Sequence, residues 1–137
     1  MTGPEAHTNP LSADMAHSYI HAVSSARRFG GKPEDYLSLH NWFDATKVIA
    51  ADFRHRALRH HSEGIFLAEQ IFGVTLLNSA GNPVPVRLVA EQHVREDFNG
   101  RIPAALDWLR AIRAEPWMHV RQVDMPTEAI YQELARP

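Results

Sequence analysis

Residues 41–61 read NWFDATKVIAADFRHRALRHH, the longest periodic segment of the chain. At 100° per residue, Trp42, Ile49, Phe53 and Ala57 share one stripe with Phe43 at its edge, the pattern of an amphipathic helix against a core. Arg54, His55, Arg56 and Arg59 spread over much of the remaining surface. His60 projects within about 20–30° of Ile49 and Phe53, which turns its imidazole inward, and Glu63 follows one turn later on a similar side. Ser62-Glu63-Gly64 reads as a break and a new N-cap. Ile65, Phe66, Ala68, Ile71 and Phe72 then form a second helix, closed by Gly73.

Upstream, Tyr19, Ile20, Val23 and Ala26 recur at helical spacing over residues 15–29, and Gly30-Gly31 stops the run. Pro33 suits the first turn of a short helix over 34–39. Downstream the period changes. Residues 74–77 and 84–89 flank the turn-rich 79–83, a hairpin whose second strand Pro85 confines to an edge. Helices are expected at 90–98 and 103–113, a strand at 119–123 and a last helix at 126–135. The fold class is therefore α+β, mainly α: five or six helices around one core with a small β-hairpin. Residues 1–14 carry Pro, Thr, Ser and Gly without hydrophobic periodicity and read as a disordered lead-in to a single domain over 15–137.

A chain of 137 residues, 45% hydrophobic and 22% charged, can bury a core without staples. Its net charge of −2 gives no global field for nucleic acid or an anionic membrane, and neither partner is expected. The absence of cysteine removes disulfides, thiolate catalysis and zinc–thiolate sites, and fits a cytoplasmic location. Residues 1–14 lack the apolar run of a signal peptide, and no segment approaches the roughly 18 apolar residues of a membrane helix. A glycine-rich phosphate loop, a GxSxG elbow and HExxH are all missing.

Histidine is the compositional outlier, at nine residues. It is the usual neutral metal ligand and general base. The pairs His17/His21, His40/Asp44 and His93/Asp97 share one spacing, i and i+4, which puts both side chains on one helical face within reach of one ion. Any one such pair also arises readily on a solvated face. A straight helix would separate Asp44 and His55 by roughly 16 Å, so those two cannot share an ion unless the helix breaks. A tertiary site must combine segments, for example His60 or His61 with the His93 pair.

The leading reading is a metal-binding small protein, a metal-dependent hydrolase acting on a small molecule, phosphorylated ones included. His55, His60, His61 and His93 are the candidate ligands of a divalent ion (Zn, Mn, Fe or Ni), with Glu63 and Asp97 as catalytic carboxylates. The competing reading is a non-catalytic module for a nucleotide-like ligand or a protein partner. There Arg54, Arg56 and Arg59 would hold phosphate or carboxylate groups, with Trp42 or Trp108 as a stacking face. Trp108, Leu109, Ile112, Trp117 and Met118 add apolar surface suited to a homo-oligomer.

The run His40-Asn41-Trp42-Phe43-Asp44, the longer run from Arg54 to Ile65, Glu91-Gln92-His93-Val94 and Arg101-Ile102-Pro103 together resemble a family of small uncharacterised bacterial and phage proteins, classed as a domain of unknown function. The resemblance spans residues 15–113. It implies no activity, and it places the lead-in and the tail outside the shared core.

Overall fold

The structure is a computed structural model that describes residues 10–119 and Gln132. Six α-helices and a two-stranded antiparallel hairpin make up the described fold: α1 (Pro10–Phe29), α2 (Glu34–Asp44), α3 (Arg56–Arg59), α4 (Ser62–Phe72), β1 (Thr75–Leu77), β2 (Pro83–Pro85), α5 (Val86–Asp97) and α6 (Ala105–Leu109). The mainly helical α+β class agrees with the sequence reading. The strand expected at 119–123, apart from His119, and the helix at 126–135, apart from Gln132, lie outside the described residues. Helix α1 begins at Pro10, inside the stretch read as a lead-in. No helix among the described residues is long and apolar enough to cross a membrane.

Helices α2 and α5 place their buried residues at helical spacing. On α2 these are Tyr36, Leu39, His40, Phe43 and Asp44. On α5 they are Val86, Val89, Ala90, Gln92, His93 and Val94, and the Asp97 side chain continues the stripe at 3% exposure. Val84 of β2 and Ile65 and Ala68 of α4 complete the apolar end of the core. Gly30 and Gly31 end α1 with φ of 84° and 73°, a backbone region that glycine enters without a Cβ penalty. In the hairpin Thr75 pairs with Pro85 and Leu77 with Pro83; both prolines are exposed on a strand that needs no further partner.

Several expectations are corrected. Residues 41–61 are not one helix. Helix α2 stops at Asp44, a 3-10 turn covers Ala45–Val48, and the chain reverses before a second 3-10 turn at Phe53–His55 leads into α3. Thr46, Val48 and Ile49 are β-branched and weaken the helix there. The Thr46 hydroxyl bonds to the carbonyls of Phe43 and His55, and the Asp52 carboxylate accepts from the Arg54 N–H to cap the new turn. Ile49 and Phe53 are consequently 72% and 66% exposed.

The inward face of α1 is also different. Tyr19 and Ile20 face out, and Ser18, His21, Ala22 and Ser25 face in. Across from them lie the polar side chains of Asp44, His40 and Gln92, which only hydrogen-bonding partners can satisfy. Finally, α5 begins at Val86 rather than at residue 90. Pro85, at ψ 123°, sits as the residue before the first turn.

The α3–α4 corner is tight. His61, not Ser62, is the N-cap of α4: its Nδ1 accepts from the Gly64 N–H at 3.0 Å, and its Nε2–H donates to the Ala57 carbonyl at 3.1 Å. A Cβ on Gly64 would meet the Arg59 carbonyl oxygen at 1.8 Å, against rigid backbone. Gly64→Ala is expected to cost about 3 kcal/mol and to lower Tm by about 10 °C. Thermal unfolding checks this, and an unchanged Tm would contradict the corner as described.

Candidate metal centre

The break in residues 41–61 returns the chain to the end of α2 and sets His60 beside Asp44. The His60 backbone (φ −85°, ψ 69°) is neither helical nor extended and ends α3. Helix α5 contributes His93 and Asp97 one turn apart. Four side chains thereby converge: Asp44, His60, His93 and Asp97, their ligand atoms all within 4.8 Å of one another. His60 and His93 are 0% exposed, and the two carboxylates 3%.

The spacing within this group is informative. His60 Nε2 lies 3.1 Å from His93 Nε2, 3.0 Å from Asp97 Oδ2 and 3.5 Å from Asp44 Oδ1. His93 Nε2 lies 3.3 Å from each of the same two oxygens. Ligands at 2.0–2.2 Å around a tetrahedral ion stand about 3.3–3.6 Å apart, close to these five separations. Hydrogen bonding leaves part of the group unsatisfied. Asp97 Oδ2 and His60 Nδ1 are buried with no hydrogen-bond partner.

The protons can be traced outward from His93. Ser25 Oγ lies 3.2 Å from the His21 carbonyl, 3.3 Å from Gln92 Oε1 and 2.7 Å from His40 Nε2. In the tautomer in which Ser25 Oγ–H goes to one of the two carbonyl oxygens, Ser25 Oγ accepts from His40 Nε2–H. Burial, reinforced by His93 and His21, holds the His40 imidazole well below its ordinary pKa and therefore neutral. In that tautomer its Nδ1 accepts from His93 Nδ1–H at 2.9 Å. A neutral His93 then presents a bare Nε2 lone pair to the cluster, the form a metal ligand requires, whereas the reverse relay would turn Nε2–H toward the carboxylates.

A second group adjoins the first. His17, His21 and Asp44 also bring ligand atoms within 4.8 Å of one another. His21 Nε2 and His17 Nε2 stand 3.3 Å apart, and 3.2 Å and 3.3 Å from Asp97 Oδ1. His21 Nδ1 donates to Glu96 Oε1 at 3.0 Å, and Ser24 Oγ and Gln92 Nε2 donate to the same carboxylate. Ser18 Oγ–H donates to Asp44 Oδ2 at 2.9 Å.

Burial opposes ionisation of Asp44 and Asp97, but the surrounding groups outweigh it. His60, His93 and Ser18 hold the Asp44 carboxyl well below the usual range, and His21, His60 and His93 do the same for Asp97. Burial pushes His21 down as well, yet Asp97 and Glu96 lift it above its ordinary value. Arg56 reaches this edge, with Nη2 3.9 Å from Asp97 Oδ1 and a buried, unpartnered Nε.

Of the four histidines expected as ligands, His60 and His93 converge and are joined by Asp97. His55 is buried elsewhere, its Nδ1 2.9 Å from Thr46 Oγ1. His61 spends both nitrogens on the helix corner. His60 does face inward, but beside Phe43, His55 and His93 rather than Phe53. Glu63 is exposed, bound to Ser62 Oγ and to the Ala105 N–H at 2.6 Å, because it caps the approach to α6. The arginines do not converge. Arg54 pairs with Asp52, Arg59 lies over the Trp42 ring at 4.3 Å, and Arg56 lies over Phe98. The ligand list drawn from sequence omits Asp44, His17 and His21. Their signal was the repeated i,i+4 spacing, which recurs on three helices that pack together.

Burial also lowers His55, to about 4, and His61. With His40, three imidazoles stay neutral in the fold while the unfolded chain protonates near pH 6.5, so acidification removes stability. His21 has the opposite sign: its contribution is present at low pH and lost as pH rises. Three groups against one set the direction. The metal-free protein is expected to lose stability from pH 6.5 down to about 4, read from its denaturant midpoint. Equal or greater stability at pH 5 than at pH 7.5 would contradict this assignment.

No curated protein and no solved structure matches the chain. The family model described as "Domain of unknown function (DUF6915)" matches residues 16–118, reaching five residues beyond the stretch that carried the resemblance. The four converging side chains and His17 and His21 all fall within that span. The chain belongs to the DUF6915 family.

Proposed function

We propose that this protein binds a divalent metal ion through Asp44, His60, His93 and Asp97, and that the ion activates water for hydrolysis of a small anionic molecule. The observation that carries the reading is the set of five separations between 3.0 and 3.5 Å among two imidazole nitrogens and two carboxylate oxygens. Two buried anions side by side call for positive charge, and a divalent cation supplies it. An N2O2 set without thiolate suits Zn, Mn, Fe or Ni. Such an ion lowers the pKa of bound water toward neutrality. Arg56, beside Asp97, favours an anionic substrate. A groove of about 320 Å³ lined by Phe98, Arg101, Pro103, Asp107 and Trp108 adjoins the site through Phe98, whose ring lies 6.3 Å from that of His60.

One observation favours a second reading. The four side chains are 0–3% exposed, as in sites where an ion only staples the fold. Tetrahedral zinc would be closed by four protein ligands, whereas an octahedral ion keeps two positions open.

Protein prepared without a histidine tag and expressed with added metal should carry stoichiometric ion. His60→Gln should lose it, and metal far below stoichiometry in the unsubstituted chain would remove the proposal. Loaded protein should also hydrolyse members of a panel of phosphate mono- and diesters, with activity lost in chelator. No turnover by a fully loaded protein would leave the ion as a staple. His40→Leu, which keeps the volume but removes the partner of His93 Nδ1–H, should weaken metal binding by about 10–100-fold.

A further inference from the structure

We infer that the centre is dinuclear: a second divalent ion binds at His17, His21 and Asp44, and Asp97 bridges the pair through its two oxygens. The inference rests on the proposed first site, since Asp44 and Asp97 serve both. Asp97 is the decisive residue. Its Oδ2 faces His60 and His93 at 3.0 and 3.3 Å, while its Oδ1 faces His21 and His17 at 3.2 and 3.3 Å. His17 Nε2, His21 Nε2 and Asp97 Oδ1 form a nearly equilateral triangle with edges of 3.2–3.3 Å. That is the face such ligands form around one ion at about 2.0–2.1 Å.

The supporting side chains are arranged as at the first site. Glu96 takes the His21 Nδ1–H, so a neutral His21 directs its Nε2 lone pair toward the triangle, a carboxylate–histidine–metal arrangement. Ser24 and Gln92 fix Glu96 in turn. One structural role for α1 would be served by apolar residues at 18, 21 and 25; instead it buries Ser18, His21 and Ser25 there and leaves Tyr19 and Ile20 outside. The two sites also differ in access. The His17 side chain is 41% exposed, so the second ion lies on the solvent side and the first behind it. Carboxylate-bridged ions about 3.5–4 Å apart clamp the attacking and leaving oxygens of a displacement, and the exposed ion offers its open positions directly to solvent.

The test uses the full chain without a tag, loaded with Mn(II), desalted and counted by elemental analysis. Two ions per chain are expected. His17→Ala, at a half-exposed position that the fold tolerates, should leave one ion, and His21→Ala should do the same. The Mn(II) electron paramagnetic resonance signal should be exchange-coupled in the unsubstituted chain and single-ion in His17→Ala. One ion in the unsubstituted chain, lost in His93→Ala and unaffected by His17→Ala, would overturn the dinuclear centre and leave the first site standing. No ion at all would overturn both. Two ions retained in His17→Ala and in His21→Ala, or two uncoupled ions, would also overturn the inference.

Discussion

Two carboxylates buried among imidazoles set the terms for the rest of this structure. A buried, unpaired carboxylate costs several kcal/mol, so Asp44 and Asp97 persist in the interior only because other elements bring compensating groups to them. Helix α2 carries one and α5 the other. The α3–α4 corner brings His60, and α1 brings Ser18 and His21. Each of these elements would pack differently if apolar burial alone governed it. The orientation of α1 shows this most clearly, because it gives up the burial of Ile20 and Tyr19 to place hydroxyls and an imidazole against the acids.

The precision of the site comes from where its residues sit. His93 and Asp97 stand on one face of α5, and His17 and His21 on one face of α1, so helix geometry fixes their spacing. His60 lies at a corner, which is inherently less rigid, and the corner is reinforced accordingly. The His61 cap, the close approach of Gly64 to the Arg59 carbonyl and the Ser62 N–H bond to the Pro103 carbonyl all hold it. Trp108 adds a bond to the His60 carbonyl at 3.4 Å. The relay from His93 through His40 to Ser25 holds the His93 ring in orientation through two buried hydrogen bonds.

Helical dominance, the hairpin with its edge prolines and the stop signals at Gly30 and Gly73 were legible in the sequence because each has a local cause. The buried stripe of α5 was partly legible, and its start was misplaced because Val86 to Val89 also suits a strand. Residues 41–61 misled through their own regularity. A periodic stripe of Trp42, Ile49, Phe53 and Ala57 fits a straight helix, but a tertiary bond from Thr46 to His55 competes with it and wins. The phase of α1 was unreadable for a related reason. Hydrophobic periodicity finds the face that seeks oil, whereas this helix buries the face that satisfies acids. The i,i+4 pairs carried much of the site, yet spacing along one helix cannot show which other helix lies opposite.

The central claim is that the converging imidazoles and carboxylates are ligands. X-ray absorption on zinc- or manganese-loaded protein tests it most directly, because the chain has no cysteine to contribute sulfur scattering. The account predicts a shell of nitrogen and oxygen at about 2.0–2.2 Å with the outer-ring scattering of about two imidazoles per ion. That figure holds whether one ion binds or two. A shell of oxygen alone, without imidazole scattering, would place the metal at surface carboxylates and contradict the account.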